Sequence, residues 1–295
     1  MHGSYTNSIF LVSILKTYKL NKHILNKMAW KNPANPFEGI APFRYHIENT
    51  GYRPTEQTEE KQVERDINRW VVELCSMWGD IRGWWLSGAV ATARLTETYP
   101  RVPTNTDIAL LREKIYLQQM IEHAAAHSLF LFRRTRAYKG LKELRQPCAK
   151  REVYFPVGSA EIDKVIRDFR RDRNYQFCLV DRTGQIVTRN TMYDRIRLYL
   201  HHQEGNSLIS TEGDFGIKKI DPRFLSNEEV YREDRRAVRI VHPLYLKLIQ
   251  ERMLKSWRWR RNPKHRQDLE RLEKLLSDKP EYAVLPDQPR VTPAV

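Results

Sequence analysis

The chain has 295 residues, enough for one or two ordinary domains with a buried core, and it carries 51 Lys+Arg against 36 Asp+Glu. The resulting formal charge of +15 is far from that of a near-neutral enzyme and favours polyanionic partners, nucleic acid or an acidic membrane surface, because each phosphate contact releases counterions. Its three cysteines, Cys75, Cys148 and Cys178, form neither a disulfide framework nor a zinc pattern, and no apolar run reaches the ~18 residues of a membrane span.

Residues 1–37 contain no Asp or Glu, while Lys16, Lys19, Lys22, Lys27 and Lys31 recur between apolar residues such as Phe10, Leu11, Ile14 and Leu15. This is the profile of a mitochondrial presequence, assigned to 1–27. Two alternatives are a start at Met28 and an N-terminal tail embedded in a partner. Asn32 to Pro54, with its Asn-Pro pairs and Gly39, predicts an irregular arm. Thr58 to Trp78 then reads as a helix with Val63, Ile67, Trp70, Val71 and Leu74 on one face. Trp70, Trp78, Trp84 and Trp85 form an apolar region that suits a core or a protein interface, and they are assigned here to a neighbouring protein. The arm and this Trp-rich region make up 28–105, with Thr98 to Thr104 as a linker.

From Thr106 to Arg145 the chain runs without proline, with Ile108, Leu111 and Ile115, and then Leu117, Ile121, Leu129 and Phe132, at three- and four-residue spacings. The spacing predicts a single long helix, capped by Thr106 and spanning about 55 to 60 Å. Its C-terminal third is basic, with Arg133, Arg134, Arg136 and Lys139. Beyond it, Glu152 to Val157 reads as extended and Ala160 to about Asp172 as a helix. Tyr175 to Val180, with Gln185 to Thr188, reads as a hairpin around Gly184. Together these elements form an expected unit over 106–190.

The run EIDKVIRDFRRDRNYQFCLVDRTGQIVTRN, from Glu161 to Asn190, resembles the C-terminal end of the animal mitochondrial small-subunit ribosomal protein twenty-six family. In that family a long basic helix leads through a phenylalanine-containing segment into a small helix and a hairpin. Phe155, Val165, Phe169, Asn174, Tyr175, Phe177, Gly184, Ile186 and Val187 occupy matching places. The family's helix is longer and glutamate-rich, and its chain stops soon after the hairpin. A vaguer similarity links DIALLREKI to bacterial-type small-subunit ribosomal protein fifteen. Both resemblances imply a constituent of the mitochondrial ribosome in the matrix, with ribosomal RNA and other mitochondrial ribosomal proteins as partners.

The remainder, 191–276, reads as a basic helical region. Helices are expected over 191–203, over Asn227 to Gln250 with a break at His242-Pro243, and over Arg266 to Leu276. The residues from 277 to 295 form an extended, proline-bearing tail. Between Arg252 and Arg266 seven Lys or Arg occur without an acid: Arg252, Lys255, Arg258, Arg260, Arg261, Lys264 and Arg266, interleaved with Trp257 and Trp259. Guanidinium groups take phosphates and indoles take unstacked bases, so this stretch is the leading RNA-binding candidate. Arg133, Arg134, Arg136 and Lys139 form a second patch, and Arg170, Arg171 and Arg173 a third.

Several catalytic patterns fail. Asp214-Phe215-Gly216 lacks the other kinase loops, His123 and His127 lack a third metal ligand, and no phosphate-binding glycine loop or nucleophile elbow occurs. The expectation is therefore a mostly α, extended structural protein, with a long central helix, a small α+β hairpin module and irregular N- and C-terminal arms. No catalytic residue, metal or cofactor is assigned. The competing assignment is a supernumerary subunit of a respiratory or ATP synthase complex, with its charge facing acidic lipid; a matrix enzyme is the third.

Overall fold

A computed structural model describes residues 43–45, 60–103, 105–136, 152–157, 159–167, 175–181, 196–210, 218–256 and 262–286. Their centre is a mixed sheet rather than a long helix. Its nine strands are β1 (Phe43–Tyr45), β2 (Trp84–Ser87), β3 (Thr106–Leu111), β4 (Leu129–Arg136), β5 (Glu152–Pro156), β6 (Tyr175–Asp181), β7 (Ile196–Glu204), β8 (Ser207–Ser210) and β9 (Lys218–Ile220). They run in the order β1-β5-β4-β6-β7-β3-β2, with β8 and β9 continuing from β7. β3 pairs antiparallel with β2 on one edge and parallel with β7 on the other. The opposite edge of β7 takes β6 at residues 196 to 198 and β8 at residues 201 to 204, end to end. A separate two-stranded ribbon joins β10 (Glu229–Glu233) to β11 (Arg236–Arg239). Six helices complete the described chain: α1 (Glu60–Trp78), α2 (Gly88–Thr96), α3 (Lys114–Ala126), α4 (Ser159–Arg167), α5 (Pro243–Lys255) and α6 (Pro263–Asp278).

The expected mostly α, extended fold is thus overturned, and the long helix is where it fails. Residues 106–136 form a strand, a helix and a strand. Ile108, Leu110 and Leu111 are buried because β3 is enclosed, and a continuous apolar run fits an enclosed strand as well as a helix. α3 ends at His127, and Ser128 takes φ +60, which no helix continues through. The Leu-Phe-Leu-Phe run that follows opens β4, with Phe130 and Leu131 both buried. Residues 137–145 lie outside the described residues. Two further expected helices are also strands: 196 to 204 is β7, and 229 to 239 is the β10–β11 ribbon, turned at Asp234 with φ +50. Pro243 does not break a helix but opens α5, where its missing N–H has no helical partner to lose. Of the expected hairpin, β6 is described and lies between β4 and β7, while 182–195 lies outside the described residues. The expected N-terminal arm contributes an edge strand, β1, paired with β5; residues 1–42 and 46–59, the presequence-like segment included, lie outside the described residues. In the tail, Tyr282 donates its hydroxyl to Glu228 at 2.8 Å.

β3 sorts the helices onto two faces. Thr106, Ile108 and Leu110 point one way, toward α1, whose Trp70 donates its indole N–H to Thr106 Oγ1 at 2.8 Å. Asp107, Ala109 and Leu111 point the other way, toward α2. Register carries the same division to the neighbours, so Ser87 and Trp85 of β2, and Arg197, Tyr199 and His201 of β7, share the Asp107 face. The four tryptophans assigned to a partner protein serve the core of this chain instead. Trp70, Trp78, Trp84 and Trp85 are at most 3% exposed. Trp78 donates to the Met120 carbonyl at 2.9 Å, Trp84 to the Trp78 carbonyl at 2.8 Å and Trp85 to the Ser226 carbonyl at 2.5 Å. An indole with its polar edge satisfied and about 200 Å² of apolar surface removed from water contributes roughly 5 kcal/mol, which no exposed docking surface offers the isolated chain. Among the described residues no helix is long and apolar enough to cross a membrane.

At the far end of the Asp107 face, β7, β8 and α5 meet in a polar network. His201, 1% exposed, donates Nδ1–H to the Tyr199 carbonyl at 2.9 Å, leaving Nε2 to accept from the Ser210 hydroxyl at 3.1 Å. Ser210 is in turn 2.8 Å from the Tyr245 hydroxyl. Nearby, Nδ1 of His242 accepts the Leu244 N–H at 3.3 Å and caps α5. Burial lowers both histidines to about 4. Each therefore stays neutral in the fold and takes up a proton only on unfolding, so its stabilisation is complete above the unfolded pKa and is lost as pH falls toward 4. Between pH 6.5 and 5 each histidine is expected to remove on the order of 1.5 kcal/mol of stability. Denaturant unfolding at the two pH values measures this, and His201→Gln is expected to remove its half of the pH dependence.

Candidate anion-binding site

The opposite end of the same face holds a cluster of charged side chains. β2 ends at Ser87, and α2 begins at Gly88, so the first amides of a nine-residue helix open directly off a buried strand. Gly88 has φ +63, and a Cβ there would stand 2.9 Å from Asp107 Cγ and closer still to Oδ2. Only glycine permits both the left-handed backbone and this approach of helix start to carboxylate. Asp107, with 15% of its side chain exposed, accepts from Asn105 Nδ2 at 2.5 Å and from Tyr199. Directly across the register on β7 is Arg197, whose Nε lies 4.0 Å from Asp107 Oδ1.

Two further elements close the site. Lys264 enters from the first turn of α6, where Asn262 caps the helix by accepting the Lys264 amide at 3.2 Å and Pro263 fills the first position. Arg101 enters from the α2–β3 connection and pairs with Asp268 of α6 at 2.5 Å. Asp268 also pairs with Arg271. Four cations, Arg101, Arg197, Lys264 and Arg271, thus gather around two carboxylates, Asp107 and Asp268, in partly buried surroundings. Burial is the main cause that pushes the Asp107 carboxyl up; Arg197, Lys264 and its two hydrogen bonds pull the other way. Burial likewise pushes the Lys264 ammonium down, and the neighbouring guanidinium groups of Arg101 and Arg197 push it further, against Asp107 and Asp268. An ammonium lowered by like charges in a poorly solvated place is relieved by a bound anion.

The donor set limits the chemistry. On the Asp107 face the next position of β3 is Ala109, and β7 supplies Arg197 and Tyr199. Among the described residues no group of three or more His, Cys, Asp or Glu is placed to hold a metal ion. What the arrangement can do is bind an anion, with fixed amides and guanidinium donors.

Of the sequence-derived RNA-binding residues, Lys264 alone lies in this site. Arg252 is half-buried near the end of α5, Lys255 is exposed in its last turn, and Arg266 is exposed on α6. Arg133, Arg134 and Arg136 lie on β4. Lys139, Arg170, Arg171, Arg173, Trp257, Arg258, Trp259, Arg260 and Arg261 lie outside the described residues, as does Asp214-Phe215-Gly216. His123 is half-buried on α3, and His127 is exposed at its C-terminus. Ser87, Gly88, Arg101, Asn105, Asp107, Arg197, Tyr199 and Asp268 carry no functional assignment from the sequence; Asp107 reads there as a helix-start acid, and Arg197 and Tyr199 as part of the expected 191–203 helix. The available signal was Ser-Gly between the apolar runs WWL and AVATA, followed by Asn-Thr-Asp at the head of another apolar run. No protein-family model matches the chain, and no curated protein sequence does.

Gly88→Ala is expected to destabilise the protein by about 2 to 4 kcal/mol, part from the positive φ and part from the clash with Asp107. Urea unfolding measures it, and in an Asp107→Ala background the same change is expected to lose only the backbone share.

Proposed function

We propose that this chain binds a phosphate ester, the phosphate of a nucleotide or of RNA, in the cradle formed by the start of α2, Arg197, Lys264 and Arg101. The observation that carries it is the excess of four cations over two carboxylates in partly buried surroundings at a helix start. Water solvates such an excess poorly, and a phosphate supplies both the charge and the acceptors that the amides and guanidinium groups match. With Asp107 as the one carboxylate on its strand, the activity assigned is binding rather than turnover.

A second reading is favoured by the formal charge of +15. It makes the chain an RNA-binding structural constituent of a ribonucleoprotein, with the mitochondrial ribosomal small subunit as the case the sequence resemblance points to. That reading needs RNA held by the basic surface at large, not by one cradle.

Titration of the full chain with ATP and, separately, with a single-stranded RNA oligonucleotide distinguishes the two. Arg197→Ala and Lys264→Ala are each expected to weaken ATP binding about ten-fold, the loss of one charge-assisted hydrogen bond. If ATP does not bind while the double variant binds RNA as the wild type does, the cradle assignment fails and the surface assignment stands.

A further inference from the structure

Asp268 is 1% exposed, the most deeply buried acidic side chain among the described residues. Such a carboxylate is tolerated only when fully paired, and here both oxygens are taken. Oδ2 accepts from Arg101 Nη2 at 2.5 Å, and Oδ1 accepts from Arg271. Arg271 then donates Nη1–H to the Thr98 carbonyl at 2.9 Å and to Thr98 Oγ1 at 3.1 Å. One carboxylate on α6 therefore fastens the connection between α2 and β3 at two points, Thr98 and Arg101. Lys264 lies four positions earlier on the same helix, so it and Asp268 share one face of α6.

Arg101 is only partly used by this pairing. Its Nε–H is buried and has no hydrogen-bond partner among the described residues. A guanidinium is a rigid planar fork, so a carboxylate that grips one edge fixes where the remaining donors point. From this geometry we infer that Asp268 is the positioning residue of the anion site. It acts through Arg101, holding that fork beside Lys264 so that its remaining donors meet the phosphate. The inference rests on the phosphate-binding function proposed above. It adds that the site's affinity depends on a residue whose own charge repels the ligand.

Three variants of the full chain, titrated with ATP, test it. Arg101→Ala and Asp268→Asn are each expected to weaken binding about ten-fold, and the double variant is expected to be no weaker than either, because both changes remove the same oriented donor. Asp268→Glu, which keeps the carboxylate, is expected to recover part of the loss. Affinity losses that add in the double variant, or an Asp268→Asn protein that binds ATP as tightly as wild type, overturn the inference. Should Asp268→Asn not fold, Arg101→Lys replaces it, since lysine keeps the charge but has no fork to be held. A loss close to that of Arg101→Ala supports the role, and wild-type affinity overturns it. Absence of ATP binding by the wild-type chain is a separate outcome that removes the site itself.

Discussion

Strand β3 is hydrogen-bonded along both edges and covered on both faces, and the rest of the molecule is arranged to satisfy it. A strand this deeply enclosed leaves little water for its polar side chains, so each one must find a partner inside the protein. At Thr106 that partner is the Trp70 indole from α1. At Asp107 it is a group drawn from Asn105, Tyr199, Arg197 and Lys264, which come from a loop, one strand and a helix. The carboxylate near the start of β3 is thus met by Arg197 across the register on β7 and by the charge of Lys264 from the first turn of α6. The cation cluster follows from the strand's enclosure.

Charge and hydrophobicity play different parts in this molecule than they suggest when viewed along the chain. The tryptophans look like a docking surface in a row of residues, yet each indole finds an internal carbonyl or hydroxyl and becomes a fixed point between elements. Trp78 ties α1 to α3, and Trp85 ties β2 to the segment before the β10–β11 ribbon. The cations that matter for the site are scattered too. Arg101, Arg197, Lys264 and Arg271 lie far apart in the sequence, and of the four only Lys264 belongs to the basic stretch between Arg252 and Arg266. Dense basic runs are easy to see, whereas this cluster is assembled by topology.

Amphipathic helices with one buried face were legible. α1 shows Val63, Ile67, Trp70, Val71 and Leu74 at helical spacing, and these residues are buried. α6 shows Leu272 and Leu275 likewise, and β6 was legible from its alternation. β3 was not, because burial on both faces erases the alternation that marks a strand, and its apolar run merged with that of α3 into a false helical period. β7 was hidden for the same reason. Its Ile196, Leu198 and Leu200 face one side, while Tyr199 and His201 are buried on the other. The site was illegible because it depends on register. That Arg197 faces Asp107 follows only from the parallel pairing of β3 and β7, which no local pattern encodes.

That pairing also sets an order of events during folding. Ser87, Gly88 and Asp107 come together through an antiparallel pair closed by a short helix, a local step. Thr106 meets Ile196 only across 90 positions of chain, and Lys264 arrives later still in sequence. Loop closure of that length is slow, and contacts of high sequence separation reward the chain late. The β2–α2–β3 unit by itself holds Asp107 without Arg197 or Lys264, the two cations that offset the cost of burying it. The cation cluster is therefore complete only when contacts of high sequence separation are in place, so anion binding there reports on the whole topology and not on any one segment.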